Sequence, residues 1–229
     1  EVKNHASQAK YETGSFKFGV GDIKYKDLNG DGVINNGDPN NKEHGVGTLE
    51  NHGDLKVIGN ELPDFEYGIT LGLDYKGFDF STYFQGVGSR DYWAYGNVAI
   101  PSGMSALDAI FTHQTDYWTP QNTDAFYPRP TDHNWVSDGQ NFKIQDRYLS
   151  DMSYLRCKNI TLGYSLPKNL LKKIDFQKVR VYFSAENMFT WDNMHLPVDP
   201  ETTSWKGAWA FGRSYPYMKT ISFGVQAVF

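Results

Sequence analysis

Alternation of apolar and polar residues organises the second half of the chain. Residues 65–75, FEYGITLGLDY, carry an aromatic or aliphatic side chain at every odd position and Gly, Thr, Asp or Glu at every even position. A period of two is typical of a β-strand with one apolar face. Residues 78–86 alternate again after the two-residue turn formed by Lys76 and Gly77. The segment 65–88 is therefore predicted to be a β-hairpin.

Three further segments alternate, the first of them cleanly only from Ile160 onwards, and predict three more strands. They are SYLRCKNITLGYSLP (153–167), VRVYFSAENMF (179–189) and YMKTISFGVQAVF (217–229). A short helical stretch at 167–175 is predicted to join the first two, which makes 153–189 a strand pair and 217–229 a terminal strand. The predicted fold class is all-β and antiparallel.

The lengths of these segments and of their connections favour a membrane. About 9–11 residues of tilted strand cross the hydrocarbon layer, whereas strands of globular proteins average about five or six. The connections alternate between short ones, at 76–77 and 167–177, and long ones, at 89–152 and 190–216. Transmembrane barrels place short turns on the periplasmic side and long loops outside. The alternative is a secreted, soluble β-sandwich that buries the apolar face and binds carbohydrate.

Composition removes several other classes of protein. The net charge of −5 offers no broad basic face for a nucleic-acid backbone. Cys157 is the only cysteine of the 229 residues, so no disulfide forms within the chain. The sequence contains no run of about 18 apolar residues, so it predicts no transmembrane helix. The six histidines do not have the spacing of metal ligands, and no pair of acidic residues suggests a glycosidase dyad. No catalytic residues are therefore predicted. An enzyme, such as a β-rich hydrolase, has little support.

The segment DLNGDGVINNGD (27–38) matches the spacing of a 12-residue calcium loop. Oxygen ligands at positions 1, 3, 5, 7, 9 and 12, with glycine at position 6, define such a loop. Hard oxygen ligands suit Ca²⁺, which would have a structural role here. The predicted ligands are Asp27, Asn29, Asp31, the carbonyl of Val33, Asn35 and Asp38, around Gly32.

Two features weaken this calcium prediction. Asp38 has a shorter side chain than the usual glutamate, and Asp54 could compete with it for the last ligand position. The alternative is a metal-free turn, since Asn, Gly and Asp favour turns in any case.

The tryptophans all lie in or beside the long loops. Their rings could stack on sugars or form an apolar patch for a partner protein; anchoring at the membrane interface and packing within the loops are the alternatives. The six positions are Trp93, Trp118, Trp135, Trp191, Trp205 and Trp209. The candidates for ligand or partner contact are Trp93, Trp118, Trp135, Trp205 and Trp209.

Six blocks, taken in order, resemble one family and cover about residues 20–229. They are GDIKYKDLNGDGVIN (21–35) with VIGN (57–60), LPDFEYGITLGLDYKGFDFSTYFQGVG (62–88), DYWTPQNTDAFYPRP (116–130), SDMSYLRCKNITLGYSLPKNLLKK (150–173), VRVYFSAENMFTW (179–191) and YPYMKTISFGVQAVF (215–229). These blocks are similar to the SusC/RagA-like TonB-dependent outer-membrane transporters of Bacteroidetes.

The resemblance implies a 22-stranded barrel in the outer membrane, in contact with its lipid and energised by the TonB complex through an amino-terminal plug. It also implies a SusD-like surface lipoprotein as partner, and glycan oligosaccharides, or else peptides, as cargo. Only the last strands of such a barrel are expected here, with extracellular loops at 21–64, 89–152 and 190–216 and no plug domain. The chain opens EVKNHASQAK, without Met or a signal peptide, and five strands leave open edges that cannot face lipid. Either another chain supplies the rest of the barrel or the sequence is an excerpt of a longer polypeptide, and the excerpt is expected.

Overall fold

The computed structural model describes residues 10–11, 18–37, 51–94, 96–101, 109–130, 140–172, 176–202, 212 and 214–229. Their strands are β1 (Lys10–Tyr11), β2 (Val33–Ile34), β3 (Phe65–Tyr75), β4 (Phe78–Gly88), β5 (Asp91–Trp93), β6 (Leu149–Asp151), β7 (Tyr154–Ser165), β8 (Lys178–Asp192) and β9 (Thr220–Val228). Among the residues described, helical structure is limited to α1 (Lys168–Leu171) and two short 3₁₀ turns, Thr112–Gln114 and Gln140–Phe142. No helix among these residues combines the length and apolar character needed to cross a bilayer.

The chain divides into two compact units. One comprises Glu1–Gly59, Trp93–Leu149 and Trp205–Phe211, and is called the loop unit here. The other comprises Asn60–Tyr92, Ser150–Ser204 and Gly212–Phe229, and is called the sheet unit.

The sheet unit is built on one five-stranded antiparallel sheet in the order β3-β4-β7-β8-β9. All five strands predicted from the alternation are present, and the all-β fold class is confirmed. The hairpin turn has positive φ at both central residues, 48° at Lys76 and 90° at Gly77. This type I′ geometry matches the twist of the flanking strands. Strands β3 and β9 form the two edges and pair on one side only among the described residues.

The register aligns apolar side chains on one face of this sheet. One row crosses all five strands and consists of Leu73, Phe80, Leu162, Phe183 and Phe223. The adjacent row, on the opposite face, consists of Gly72, Ser81, Thr161, Ser184 and Ser222. The apolar face is open, because Leu73 is 65% exposed and Phe223 is 82% exposed. A sandwich core would have buried these side chains, so the described residues do not form the soluble sandwich considered above.

A β-bulge interrupts the alternation in the middle of the sheet. Cys157 pairs with Phe84 and Asn159 pairs with Tyr83, which leaves Lys158 as an extra residue. The register between β7 and β8 shifts at the same place. Because a bulge adds one residue to a strand, two successive residues can face the same side. Both Lys158 and Asn159 are thereby available to the polar face.

The connection between β7 and β8 contains a shorter helix than the one predicted at 167–175. Pro167 precedes α1 in an extended conformation, and the helix ends at Leu171. Residues 173–175 lie outside the described residues. Proline suits this boundary because it has no N–H group to donate.

The loop unit packs around aromatic side chains. Trp93, Tyr127 and Tyr148 are buried together, and the rings of Tyr127 and Tyr148 stack with centroids 5.8 Å apart. Burial raises the pKa of each of these two tyrosines to about 12. Partly buried neighbours complete the cluster: Ile23, Tyr117, Phe126, Phe142 and Leu149. The described residues of the predicted loops 21–64 and 89–152 that belong to this unit therefore have a hydrophobic core of their own.

Candidate functional site

The acidic loop is organised by hydrogen bonds from its own backbone. The Asp27 carboxylate accepts hydrogen bonds from the amides of Gly30, at 2.6 Å, and Gly32, at 2.9 Å. Asn29 Oδ1 accepts from the Asp31 amide at 2.9 Å, and Asp31 Oδ1 accepts from the Val33 amide at 2.8 Å. Gly32 has φ of 85°, so it supplies the turn that the calcium-loop spacing requires of this position.

Asp54 reaches into this loop from a position 19 residues after Asn35. Its two carboxylate oxygens accept hydrogen bonds from the amides of Leu28, at 2.6 Å, and Asn35, at 2.8 Å. The Asp54 amide in turn donates to the Asn35 carbonyl at 2.9 Å. Asp54 therefore holds the two ends of the loop together. Asp38, the predicted last ligand, lies outside the described residues.

The donor set fits Ca²⁺ by chemistry, since it consists of hard carboxylate, amide and carbonyl oxygens. The structure also explains the loop without a metal, because side-chain oxygens of Asp27, Asp31 and Asp54 already accept backbone hydrogen bonds. Within the described part of the chain, no three His, Cys, Asp or Glu side chains come together as a metal cluster. The calcium site stays a prediction.

A second polar centre of the loop unit was not predicted from the sequence. The Asp22 side chain is fully buried and accepts two hydrogen bonds from Arg129, at 2.7 and 2.8 Å. It also accepts from the Gly19 amide at 2.7 Å and from Asn141 Nδ2 at 2.9 Å. A bidentate guanidinium–carboxylate pair is directional and strong. This centre joins three segments that are far apart in sequence, and no local spacing of residues predicts it.

The tryptophans that the structure describes have packing contacts. Trp93 is only 5% exposed and belongs to the aromatic core of the loop unit. Trp118 lies against Gly21, where a Cβ atom would approach the indole ring to 2.5 Å. Trp191 lies exposed at the end of β8 and stacks with Phe189. The other candidates, Trp135, Trp205 and Trp209, lie outside the described residues. Ligand or partner contact by tryptophan stays a prediction.

A buried charge cluster lies on the polar face of the sheet unit, at the end with the long connections. Arg156 and Lys158 of β7 meet Asp199 and Glu201, which follow β8. Arg156 Nη2 lies 2.8 Å from Asp199 Oδ1, and Lys158 Nζ lies 2.7 Å from Glu201 Oε2. The Arg156, Asp199 and Glu201 side chains are each less than 10% exposed. We call these four residues the charge cluster.

Aromatic and backbone groups complete the charge cluster. The Tyr217 ring lies 4.4 Å from Lys158 Nζ and 5.3 Å from the Arg156 guanidinium carbon, as in cation–π contacts. Burial opposes ionisation of Asp199. The hydrogen bond from Arg156, together with those from the amides of Glu201 and Tyr217, outweighs burial and holds the pKa of Asp199 below its usual value.

Curated sequences similar to this chain carry one family name. TonB-dependent receptor P3 of Formosa agariphila is 31% identical over 185 residues, which are 77% of the chain and 17% of the relative. TonB-dependent receptor P26 of the same organism is 28% identical over 92% of the chain and 20% of its own length. TonB-dependent receptor SusC of Bacteroides thetaiotaomicron is 28% identical over 78% of the chain and 17% of its own length.

The chain belongs to the SusC-like TonB-dependent receptors. It spans only 17% to 20% of the length of these curated relatives. No family model matches the chain.

Solved structures support the fold of this receptor segment. A structure of the RagAB peptide transporter aligns with a TM-score of 0.52 and 23% identity, over 72% of the chain and 17% of the solved one. The RagAB peptide importer in its open-open state aligns with a TM-score of 0.55 and 22% identity, over 76% of the chain and 18% of the solved one. At these identities the similarity concerns the fold.

Proposed function

We propose that this receptor segment forms the carboxyl-terminal strands of a closed, 22-stranded barrel that imports nutrients across the outer membrane. The observation that carries the proposal is the exposed apolar face of the five-stranded sheet, opposite a polar face. In a barrel the apolar side chains contact lipid and the polar side chains line water.

The strand lengths agree with a membrane crossing. Strands β3 and β4 have 11 residues each, β7 has 12 and β8 has 15. Eleven residues at about 3.3 Å each extend about 36 Å, which at a tilt of about 45° crosses about 25 Å. This matches the height of the apolar band of outer-membrane barrels, about 25 Å.

The import mechanism assigns different tasks to different parts of the receptor. The long connections at 21–64, 89–152 and 190–216 lie outside the cell, where a SusD-like lipoprotein captures cargo with them. The TonB complex pulls on a plug domain supplied by sequence beyond this segment, and the polar face lines the path that opens. The receptor names of the relatives support this role for the whole protein.

Glycan oligosaccharides are the cargo that we propose, with peptides as the second class. Peptides are kept as the second class because one solved structure of similar fold is described as a peptide transporter. The two are separated by measuring uptake of labelled oligosaccharides and labelled peptides in cells with and without the receptor gene. Receptor-dependent uptake of one class assigns the cargo, and uptake of neither contradicts the import function.

Membrane fractionation tests the barrel itself. The receptor is expected in the outer-membrane fraction, extractable only with detergent and showing a heat-dependent shift in electrophoretic mobility. Recovery of the receptor as a soluble monomer would contradict the proposal.

The acidic loop and the loop tryptophans enter this proposal as external features. Ca²⁺ bound by Asp27, Asn29, Asp31, Val33 and Asn35 would hold the 21–64 segment in one conformation. Tryptophans of the long loops would contact cargo or the lipoprotein partner.

A further inference from the structure

The charge cluster fixes a short segment that follows β8 against the polar face of the sheet unit. This segment, 196–202, is called the strap. Leu196 and Pro200 are buried, and Asp199 and Glu201 point at Arg156 and Lys158. Arg156 pairs in register with Gln85 of β4 and Thr190 of β8, so the strap covers the polar face and leaves the apolar face open.

The cluster is neutral overall but is not fully satisfied. Two positive and two negative side chains meet there, yet Arg156 Nη1 lies 3.2 Å from Glu201 Oε2 without hydrogen-bond geometry. Among the described residues, no donor meets the buried Glu201 Oε1 with good hydrogen-bond geometry, although the Tyr154 hydroxyl interacts with the Glu201 carboxylate. Burying charges is costly unless every group is well paired. Hydration of these groups would therefore favour an alternative state in which the strap is released.

The charge cluster lies at the end of the sheet from which the long connections leave, so release of the strap would change that end. The Arg180–Asp79 ion pair lies on the same face but near the short connections. In the proposed barrel, the first of these ends is the external mouth of the polar path. This step rests on the proposed function.

We propose that the strap is a conformational gate at the external end of the polar face, held closed by the charge cluster. In the closed state Asp199 and Glu201 neutralise Arg156 and Lys158 and keep the mouth narrow. In the open state the strap moves away, and the two cations face the water-filled path. Cargo or the lipoprotein partner would shift this equilibrium by contacting the strap in one state only.

Hydrogen exchange in the full receptor, purified in detergent, tests the gate directly. The variants Asp199→Asn and Glu201→Gln each remove one negative charge from the cluster. We expect amide exchange in residues 196–202 to accelerate at least about tenfold, with β3 and β4 unchanged. Asp79→Asn is the matched control, because it removes a charge from the same face but from the other ion pair, and it should leave the strap unchanged.

A milder variant and an uptake measurement complete the test. Lys158→Met removes the Lys158–Glu201 ion pair and should also accelerate exchange in the strap, by a smaller factor, if the first variants do not assemble. In cells, the two loosened variants should import the labelled oligosaccharide or peptide that the wild type imports at a higher rate. Unchanged exchange in 196–202 would contradict the role of the charge cluster in holding the strap, and faster exchange without faster import would contradict the role of the strap as a gate. Failure of the import proposal shows separately, as absence from the outer membrane.

Discussion

At the scale of single residues, the two kinds of ion pair in the loop unit differ in burial. Asp22 is fully buried against Arg129, whereas Lys56 and Asp146 are 3.8 Å apart and mostly exposed. Hydrogen bonds to a buried charged group stabilise a fold far more than an exposed pair does. The loop unit should therefore depend on the first pair and tolerate loss of the second.

Substitution of Asp22 tests this difference. Asp22→Asn should destabilise the loop unit by about 2 kcal/mol, because Arg129 loses its bidentate partner. Lys56→Gln, the matched control at an exposed pair, should cost less than about 1 kcal/mol. Protease cleavage within residues 18–37, measured on the assembled receptor, reports the change. Equal cleavage of the two variants would contradict the assigned role of Asp22.

Removal of Ca²⁺ tests the acidic loop. If the loop holds the ion, a calcium chelator should increase protease cleavage between residues 20 and 60, and added Ca²⁺ should reverse the effect. Asp31→Asn should reduce the protection in the same way, because it removes one of the ligand charges. If cleavage of this segment does not respond to the chelator, the hydrogen bonds of Asp27 and Asp54 alone account for the loop conformation and the calcium prediction is wrong.

Long-range polar pairs are the part of the site that sequence reasoning could not predict. Asp22 and Arg129 are 107 residues apart, and Arg156 and Asp199 are 43 apart. Local patterns carry no information about such pairs, because no period or fixed spacing relates the partners. The acidic loop can be identified from the sequence for the opposite reason, since its residues are consecutive and their spacing is itself the signal.

At the scale of elements, the strands were predictable because their signal is local. Alternation identifies a strand with two unlike faces, and the turn at Lys76 and Gly77 fixes the register of β3 against β4. The bulge at Lys158 was not predicted. Its effect is to place a cation on the polar face, and only the positions of the neighbouring strands reveal it.

A pair of adjacent positions on β3 tests which face meets lipid. Leu71 lies on the apolar face and Thr70 on the polar face. In the barrel, Leu71→Arg should destabilise the receptor by about 2–4 kcal/mol, since arginine near the bilayer midplane is unfavourable. Thr70→Arg should have little effect, because its side chain reaches water. Urea-dependent unfolding in lipid vesicles measures the free energy of unfolding of both variants. A larger loss of stability for Thr70→Arg than for Leu71→Arg would mean that the face of Thr70 contacts lipid.

Acid should release the strap. The pKa of Asp199 is held below its usual value, so ionised Asp199 contributes stability that is present at neutral pH and is lost as the pH falls below about 4. Arg156 of β7 faces this carboxylate directly. The other charged or titratable groups of the cluster are Lys158, Glu201, Tyr154 and Tyr217. Cleavage by pepsin within 193–202 should increase between pH 4.5 and about 2 in the wild type. Asp199→Asn should already be cleaved at pH 4.5, and an identical pH profile for both would count against this role of Asp199.

At the scale of the whole molecule, the five-stranded sheet needs partners at both edges. Strands β3 and β9 each pair on one side only within the described part of the chain. In lipid, unpaired backbone groups are too unfavourable to persist, which is why membrane sheets close into barrels. The sequence predicted these strands but could not supply their outer partners, because strand pairing between distant segments is not encoded in a local pattern.

Hydrogen exchange at the two edges tests closure. In the assembled receptor, the amides of β3 that point away from β4, and those of β9 that point away from β8, should exchange as slowly as those of β7. The reason is that closure gives each of them a hydrogen-bond acceptor on a neighbouring strand. β7 serves as the internal reference, because it is paired on both sides. Much faster exchange at either edge than in β7 would show an open sheet and would contradict the closed barrel.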